Sequence, residues 1–171
     1  GCLAQRFEAE FFDELPEVDA IVGTTAYESI VEVVDEILAG KEQVKRMESI
    51  DLAMQNENGK LRVLSTAPYF AYLKISEGCD NHCTYCVIPK MRGKHRSRKM
   101  ESLIEEATIL AQQGVKELVI VAQDTSIYGR DLYGQPMLHE LLKQLNAIEG
   151  IEWIRLLYAY PETLTDETIE A

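Results

Sequence analysis

Cys79, Cys83 and Cys86 stand in the run Cys79-Asp80-Asn81-His82-Cys83-Thr84-Tyr85-Cys86, a C-x3-C-x2-C spacing. Thiolates are the usual ligands of iron–sulfur clusters, and a four-iron cluster with only three of them keeps one iron for an exogenous ligand. An open coordination position is what separates a reactive metal site from a closed structural one. A structural zinc ion held by the same three cysteines and either His82 or His95 competes with this reading. Tetrahedral zinc sites favour paired C-x2-C knuckles, and only Cys83 and Cys86 have that spacing. Three unliganded cysteines in a core are the plainest reading, and the loop position speaks against it. The spacing alone leaves zinc open. In either metal site the three sulfurs are expected to converge on a common centre.

The elements around the cysteines say how they are positioned. Tyr69–Ser76 reads as a strand from its Tyr, Phe and Ile content, and it runs directly into Glu77-Gly78-Cys79. Beyond the cysteines, 101–113 reads as a helix with Leu103, Ile104, Ala107, Leu110 and Ala111 inward and Gly114 at its end. Val115–Ala122 follows as a nearly continuous apolar strand, then a polar loop at Gln123–Gly129, a helix at 137–148, a strand at 153–158 and the start of a helix at 165–170. Strands that alternate with helices through short connections predict parallel βα units. In such folds chemistry gathers in the loops after the strands' C-terminal ends. Both the cysteine loop and Gln123-Asp124-Thr125-Ser126 fall there, which makes these four polar residues candidates for cofactor or substrate contacts. Their ordinary alternative is turn chemistry. His139 falls within a helical stretch and reads as structural.

Upstream, 5–15 reads as a helix with Phe7, Phe11, Phe12 and Leu15 at helical spacing, stopped by Pro16. Ala20–Val22 is a short buried strand. Thr25 with Glu28 forms a capping-box pattern for a helix that runs to Ala39 with Ile30, Val31, Val34, Ile37 and Leu38 on one face, and Gly40 follows it. The expected organisation is α/β: 1–40 the end of a doubly wound α/β domain, 41–66 a linker with a turn-rich cluster at Asn56, Asn58 and Gly59, and 67–171 the first βα units of a partial (β/α) barrel.

Composition narrows the class. With 46% hydrophobic and 27% charged residues the chain is ordinary globular material. No apolar run approaches the ~20 residues of a membrane span, and no secretory leader is present, so a soluble cytoplasmic protein without membrane contact is expected. In that reducing compartment the four cysteines point to metal or catalysis rather than disulfides. The net charge of −12 works against a broad phosphate-binding surface. Lys90, Arg92, Lys94, Arg96, Arg98 and Lys99 nevertheless cluster after the cysteines, either as a solvated loop or as an anion contact. The chain opens at Gly1 without Met and stops within a helical pattern at Glu170–Ala171, as expected of a piece of a longer protein.

The cysteine run, with an aromatic residue before the last cysteine, resembles the signature of radical S-adenosylmethionine (SAM) enzymes. The wider string Tyr72–Cys79, Ile88-Pro89, Met91-Arg92-Gly93 and Arg96-Ser97-Arg98 is similar to the methylthiotransferase subgroup. Gly1-Cys2-Leu3-Ala4-Gln5-Arg6 resembles the segment around the third cysteine of that subgroup's auxiliary [4Fe–4S] cluster. The resemblance covers essentially the whole chain. It implies two clusters in the full-length protein, with Cys79, Cys83 and Cys86 on the SAM-binding one and Cys2 on the other.

It further implies that SAM is cleaved to methionine and a 5′-deoxyadenosyl radical, that the auxiliary cluster presents the transferred sulfur, and that a second SAM gives the methyl group. Tyr85 falls where the family places an aromatic residue beside the adenine; packing is the alternative. Two branches modify a small-subunit ribosomal-protein aspartate or a tRNA adenosine. Val121–Gly129 and Leu156–Pro161 look more like the ribosomal-protein branch. RNA contact is implied only through a C-terminal domain outside this chain. The alternatives are the tRNA branch and a non-catalytic zinc or iron–sulfur module.

Overall fold

A computed structural model describes residues 1–52 and 63–171. The expected turn cluster at Asn56, Asn58 and Gly59 lies outside the described residues. The chain forms two compact units, Gly1–Leu52 with Cys79–Lys94, and Ala53–Gly78 with His95–Ala171. No helix among the described residues is long and apolar enough to cross a membrane.

In the first unit, α1 (Cys2–Arg6) and α2 (Phe11–Glu14) replace the single helix expected over 5–15. The break falls at Phe7–Glu10, where Glu8 pairs with Lys45 at 2.6 Å instead of continuing a helical face. Strand β1 (Ala20–Val22) forms as expected and pairs in parallel with β2 (Val44–Arg46). Strand β2 lies inside the stretch read as a linker. Its polar Lys45 and Arg46 hide it from an apolar-run search, while Val44 fills the buried position.

Helix α3 (Ile30–Leu38) follows a short 3-10 turn at Tyr27–Ser29 and ends before Gly40, at φ 87°. Thr25 does not cap it. Its hydroxyl donates to the Glu48 carbonyl at 3.3 Å, because the intervening 3-10 turn moves the helix start beyond its reach. The expected inward face is also corrected: Val33 is the buried residue, whereas Ile30, Val31, Val34 and Leu38 face outward, Leu38 at 80% exposure. The β1–β2 pair is three residues long, and α3 packs against both of its strands. Helix α4 (Ile88–Arg92) completes this unit, with Pro at its start, where a missing amide costs nothing, and Gly93 at φ 75° closing it.

The second unit is built on a parallel sheet in the order β3 (Phe70–Lys74), β6 (Glu117–Val121) and β7 (Trp153–Leu156). A short antiparallel pair, β4 (Ser76–Glu77) with β5 (Arg96–Ser97), extends beyond β3. Helix α5 (Met100–Gln112) then leads to β6 (Glu117–Val121), a one-turn α6 (Arg130–Tyr133), α7 (Leu138–Asn146), β7 (Trp153–Leu156) and α8 (Asp166–Glu170). Register runs Leu73↔Ile120 and Ile120↔Leu156. The continuous core of Leu73, Leu103, Ala107, Leu110, Leu118, Ile120, Leu141 and Leu145 explains why β6 reads as an unbroken apolar run: both of its faces are covered. Thr165 caps α8, its hydroxyl accepting from the Thr168 amide at 3.3 Å. The α/β class and parallel pairing thus match expectation.

Candidate functional site

Strand β3 leads through Ser76 and Glu77 into Gly78, whose φ of 79° permits the turn into the cysteine segment. Within the first unit, the Cys79 amide donates to the Gly93 carbonyl at 3.1 Å, which joins the two ends of that segment. The Cys86 amide donates to the Cys83 carbonyl at 2.9 Å, so the C-x2-C part is a tight turn. Cys79 is buried, Cys83 and Cys86 are half-buried, and none of the four cysteines is in a disulfide. A cavity of about 490 Å3 beside Cys79 is lined by Asp51, Asp80, His82, Gly93 and Lys94 among others. Tyr85 projects with 88% exposure, so it is not a packing residue of the described fold.

The thiols do not gather as expected. Among the described residues no three His, Cys, Asp or Glu side chains surround one ion-sized centre. His95 is buried in the second unit with Nε2 3.1 Å from Ser97 Oγ and 3.9 Å from Asp131 Oδ1. A four-iron cluster spreads its ligands over separate irons. Three thiols on one turn-rich segment, with open volume beside Cys79, match that donor set in type and number.

In the second unit, the loop after β6 satisfies most of its own polar groups. Asp124 Oδ1 accepts from the Ser126 amide at 3.1 Å and from its hydroxyl. Thr125 donates through Oγ1 to the Leu157 carbonyl at 2.9 Å and through its amide to the Tyr158 carbonyl at 3.0 Å. Ser126 Oγ also meets Thr163 Oγ1. Gln123 differs: its Oε1 is buried without a hydrogen-bond partner among the described residues. Ser76 Oγ, at the end of the neighbouring strand, is in the same position. Parallel pairing of Lys74 with Val121 brings residues 76 and 123 to adjacent strand ends. Buried polar atoms left this way cost free energy unless a ligand or water meets them.

Sequence reasoning passed over Ser76, Tyr158 and Arg92. A hydroxyl in the last position of an apolar strand was the available signal for Ser76. Tyr158 adopts φ 58°, rare for an aromatic residue, at the carbonyl that holds Thr125, and nothing local in the sequence announces it. Arg92 was visible as one of a basic series and within the Met91-Arg92-Gly93 string, with no partner indicated. Its Nε donates to Cys2 Sγ at 3.2 Å within the first unit, so Cys2, the first residue of α1, is engaged by the cysteine-bearing segment.

A family model described as the radical SAM superfamily matches residues 73–171. The chain is 52% identical over 170 residues to "Ribosomal protein uS12 methylthiotransferase RimO" of Lachnoclostridium phytofermentans, covering 99% of this chain and 38% of that protein. It is 55% identical over 169 residues to the protein of the same name from Caldanaerobacter subterraneus subsp. tengcongensis, with the same coverage. The counterpart in Clostridioides difficile is 52% identical over 170 residues, again 99% of this chain and 38% of the relative. The chain thus spans well under half the length of the curated relatives it matches.

Proposed function

Because the chain belongs to the radical SAM superfamily, we propose that the full-length protein is a methylthiotransferase that modifies an aspartate of the small-subunit ribosomal protein uS12. The carrying observation is identity of 52% and 55%, across nearly all of this chain, with proteins named for that reaction. In this reading 1–40 closes an N-terminal doubly wound domain to which β2 adds a strand, the rest of 41–66 links it to the next, and 67–171 is the first half of a partial barrel. The sequential parallel order β3-β6-β7 supports the barrel.

Cys79, Cys83 and Cys86 are assigned to the [4Fe–4S] cluster that binds SAM, and Cys2 to one ligand position of an auxiliary [4Fe–4S] cluster. Together, cluster and SAM supply reductive cleavage and hydrogen abstraction from an unactivated carbon, chemistry that side chains lack. The chain's own share is positioning. The Cys79 amide bond to Gly93 closes the cysteine segment, and the Cys83–Cys86 turn sets the spacing of its last two thiols. Tyr85 is exposed and available to lie against the adenine. Gln123, with its buried carbonyl oxygen, is the loop residue assigned to direct contact with SAM or substrate. Asp124, Thr125 and Ser126 serve the same site by fixing the loop's shape through their internal bonds. RNA contact is assigned to a domain beyond this chain.

Expression of the complete gene in hosts lacking either the ribosomal-protein or the tRNA activity tests the substrate. The expected result is uS12 gaining the mass of one methylthio group, with digested tRNA unchanged. Restored methylthioadenosine beside unmodified uS12 would assign the protein to the tRNA branch. Anaerobic reconstitution gives a parallel check on the centre: visible iron–sulfur absorption that falls when Cys79, Cys83 and Cys86 are replaced.

A further inference from the structure

We propose that β1 is an interior strand of the full-length protein, flanked on its open edge by a parallel strand formed by the residues immediately ahead of Gly1. The proposal deepens, and rests on, the reading of 1–40 as the end of a doubly wound domain. Its starting point is the Gly1 amino nitrogen, which donates to the Val22 carbonyl within the first unit.

The directions of the β1 backbone groups make this a strand contact. The Val44 amide donates to the Asp19 carbonyl at 2.9 Å, and the Gly23 amide donates to the Arg46 carbonyl at 2.8 Å. Alternate residues of a strand bond to opposite sides, so positions 19, 21 and 23 serve β2 while Ala20 and Val22 turn their amides and carbonyls to the other edge. Gly1 meets β1 on that other edge, at the last carbonyl of the strand. A chain arriving at Gly1 in the direction of β1 brings its preceding residues level with Ile21 and Ala20. The connection Cys2–Asp19, which carries α1 and α2, has the length that a crossover between parallel neighbours needs, about a dozen residues or more.

Residue types favour the same order. Strands left at a sheet edge are blunted by charged side chains, and β2 carries Lys45 and Arg46. Ala20-Ile21-Val22 has no such guard and reads as a strand with a neighbour on each side. A single pair of three-residue strands is also a marginal sheet, since stability usually takes three or more. Beside the open edge lies a cavity of about 410 Å3 lined by Gly1, Val22, Tyr27 and Ile30 among others. Ile30 is 50% exposed there, at the start of α3. A strand added about 4.8 Å from β1 widens the sheet beneath that end of the helix, and its apolar side chains fill the cavity. A second copy of the chain is a poorer occupant, because each copy carries a net charge of −12.

Residue-resolved hydrogen exchange on the full-length protein tests the pairing. An interior β1 is expected to show the amides of Ala20, Ile21 and Val22 all slowed at least about a hundredfold relative to an unstructured chain. Alternation, with Ile21 slow while Ala20 and Val22 exchange at the unstructured rate, means an edge strand and overturns the proposal. Replacing Ile30 by photoreactive benzoylphenylalanine in the same full-length protein identifies the neighbour. Cross-links are expected to the peptide immediately ahead of Gly1, in a yield independent of protein concentration. Cross-links to a C-terminal peptide, or to a second copy with a yield that falls on dilution, overturn it. The same label at Tyr27, on the same cavity, decides between these outcomes should the Ile30 variant not fold. The uS12 mass measurement described above succeeds or fails independently of both readouts, so failure of this inference is distinguishable from failure of the functional reading.

Discussion

Replacing Arg98 by Met should unfold the second unit more readily than any ordinary surface change. Arg98 is 2% exposed and Glu106 7% exposed, with Nη1 2.7 Å from Glu106 Oε2. The same guanidinium donates to the Lys74 carbonyl at 3.0 Å and to Ser102 Oγ at 3.2 Å. Arg98→Met leaves Glu106 with a buried carboxylate that has lost its cation, and breaking a buried pair from one side costs about 3–5 kcal/mol. Against a domain stability of about 5–15 kcal/mol, such a loss brings the unit near its threshold. Arg98→Met with Glu106→Leu removes both charges and fills their volume, so it should recover most of the loss. Urea denaturation followed by circular dichroism and by Trp153, the chain's single tryptophan, gives the numbers. A cost below about 1 kcal/mol for Arg98→Met, or a double variant as unstable as the sum of its parts, would refute the reasoning, because the pair would then behave like an exposed one.

Three further outcomes concern Tyr128, Asp124 and Gln123. Burial first, with Tyr133 and Glu101 nearby, pushes the Tyr128 phenol well above its usual range. The unfolded chain gives up that proton near pH ~10 while the folded one keeps it. Stability should therefore be complete below that pH and decline as pH rises beyond it. Tyr128→Phe should flatten the decline in urea midpoint while costing about 1 kcal/mol at neutral pH for the lost bond to the Arg98 carbonyl. In the loop after β6, Asp124→Ala should cost about 1–3 kcal/mol, since it strips the buried Ser126 amide of its acceptor. Gln123→Ala should leave stability within ~0.5 kcal/mol and weaken SAM binding to the full-length protein in equilibrium dialysis; unchanged SAM binding would remove Gln123 from the site.

Legibility in the sequence tracked how much of an element's environment was local. The apolar run at Leu118–Ala122 and the spacing of Leu103, Ala107 and Leu110 are set by burial on known sides, and both elements appear where expected. Gly40 and Gly114 mark helix ends because a positive φ is a property of one residue. Helix α3 shows the limit. Periodicity reports that Ile30, Val31, Val34 and Leu38 share a face but not whether anything covers it, and in the described residues they face outward. Two-residue strands such as β4 and β5 have no period to detect, and β2 is mostly polar. Of the site, the cysteines and the polar loop are visible from residue type. The division of labour within the loop depends on the partners of Asp124 and Thr125 in distant segments, and so does the bond from Arg92 to Cys2.

The second unit's geometry explains how a chemically exposed segment can be carried without destabilising its support. The chain leaves this unit at Gly78 and re-enters it at His95. Closing such an excursion has an entropic cost that grows only slowly with its length, so a few good contacts at the base can offset most of it. Those contacts are present: Ser76 and Glu77 pair with Ser97 and Arg96, and the Arg98 amide donates to the Ile75 carbonyl at 2.9 Å. Ser97 donates through its amide to Asp131 Oδ2 at 2.8 Å and accepts at Oγ from the Gly129 amide at 2.9 Å. The buried guanidinium of Arg98 adds its bond to the Lys74 carbonyl. None of these interactions uses a cysteine. Closure is thus secured by the base, and Cys79, Cys83 and Cys86 can be committed to ligands without also having to hold the excursion together.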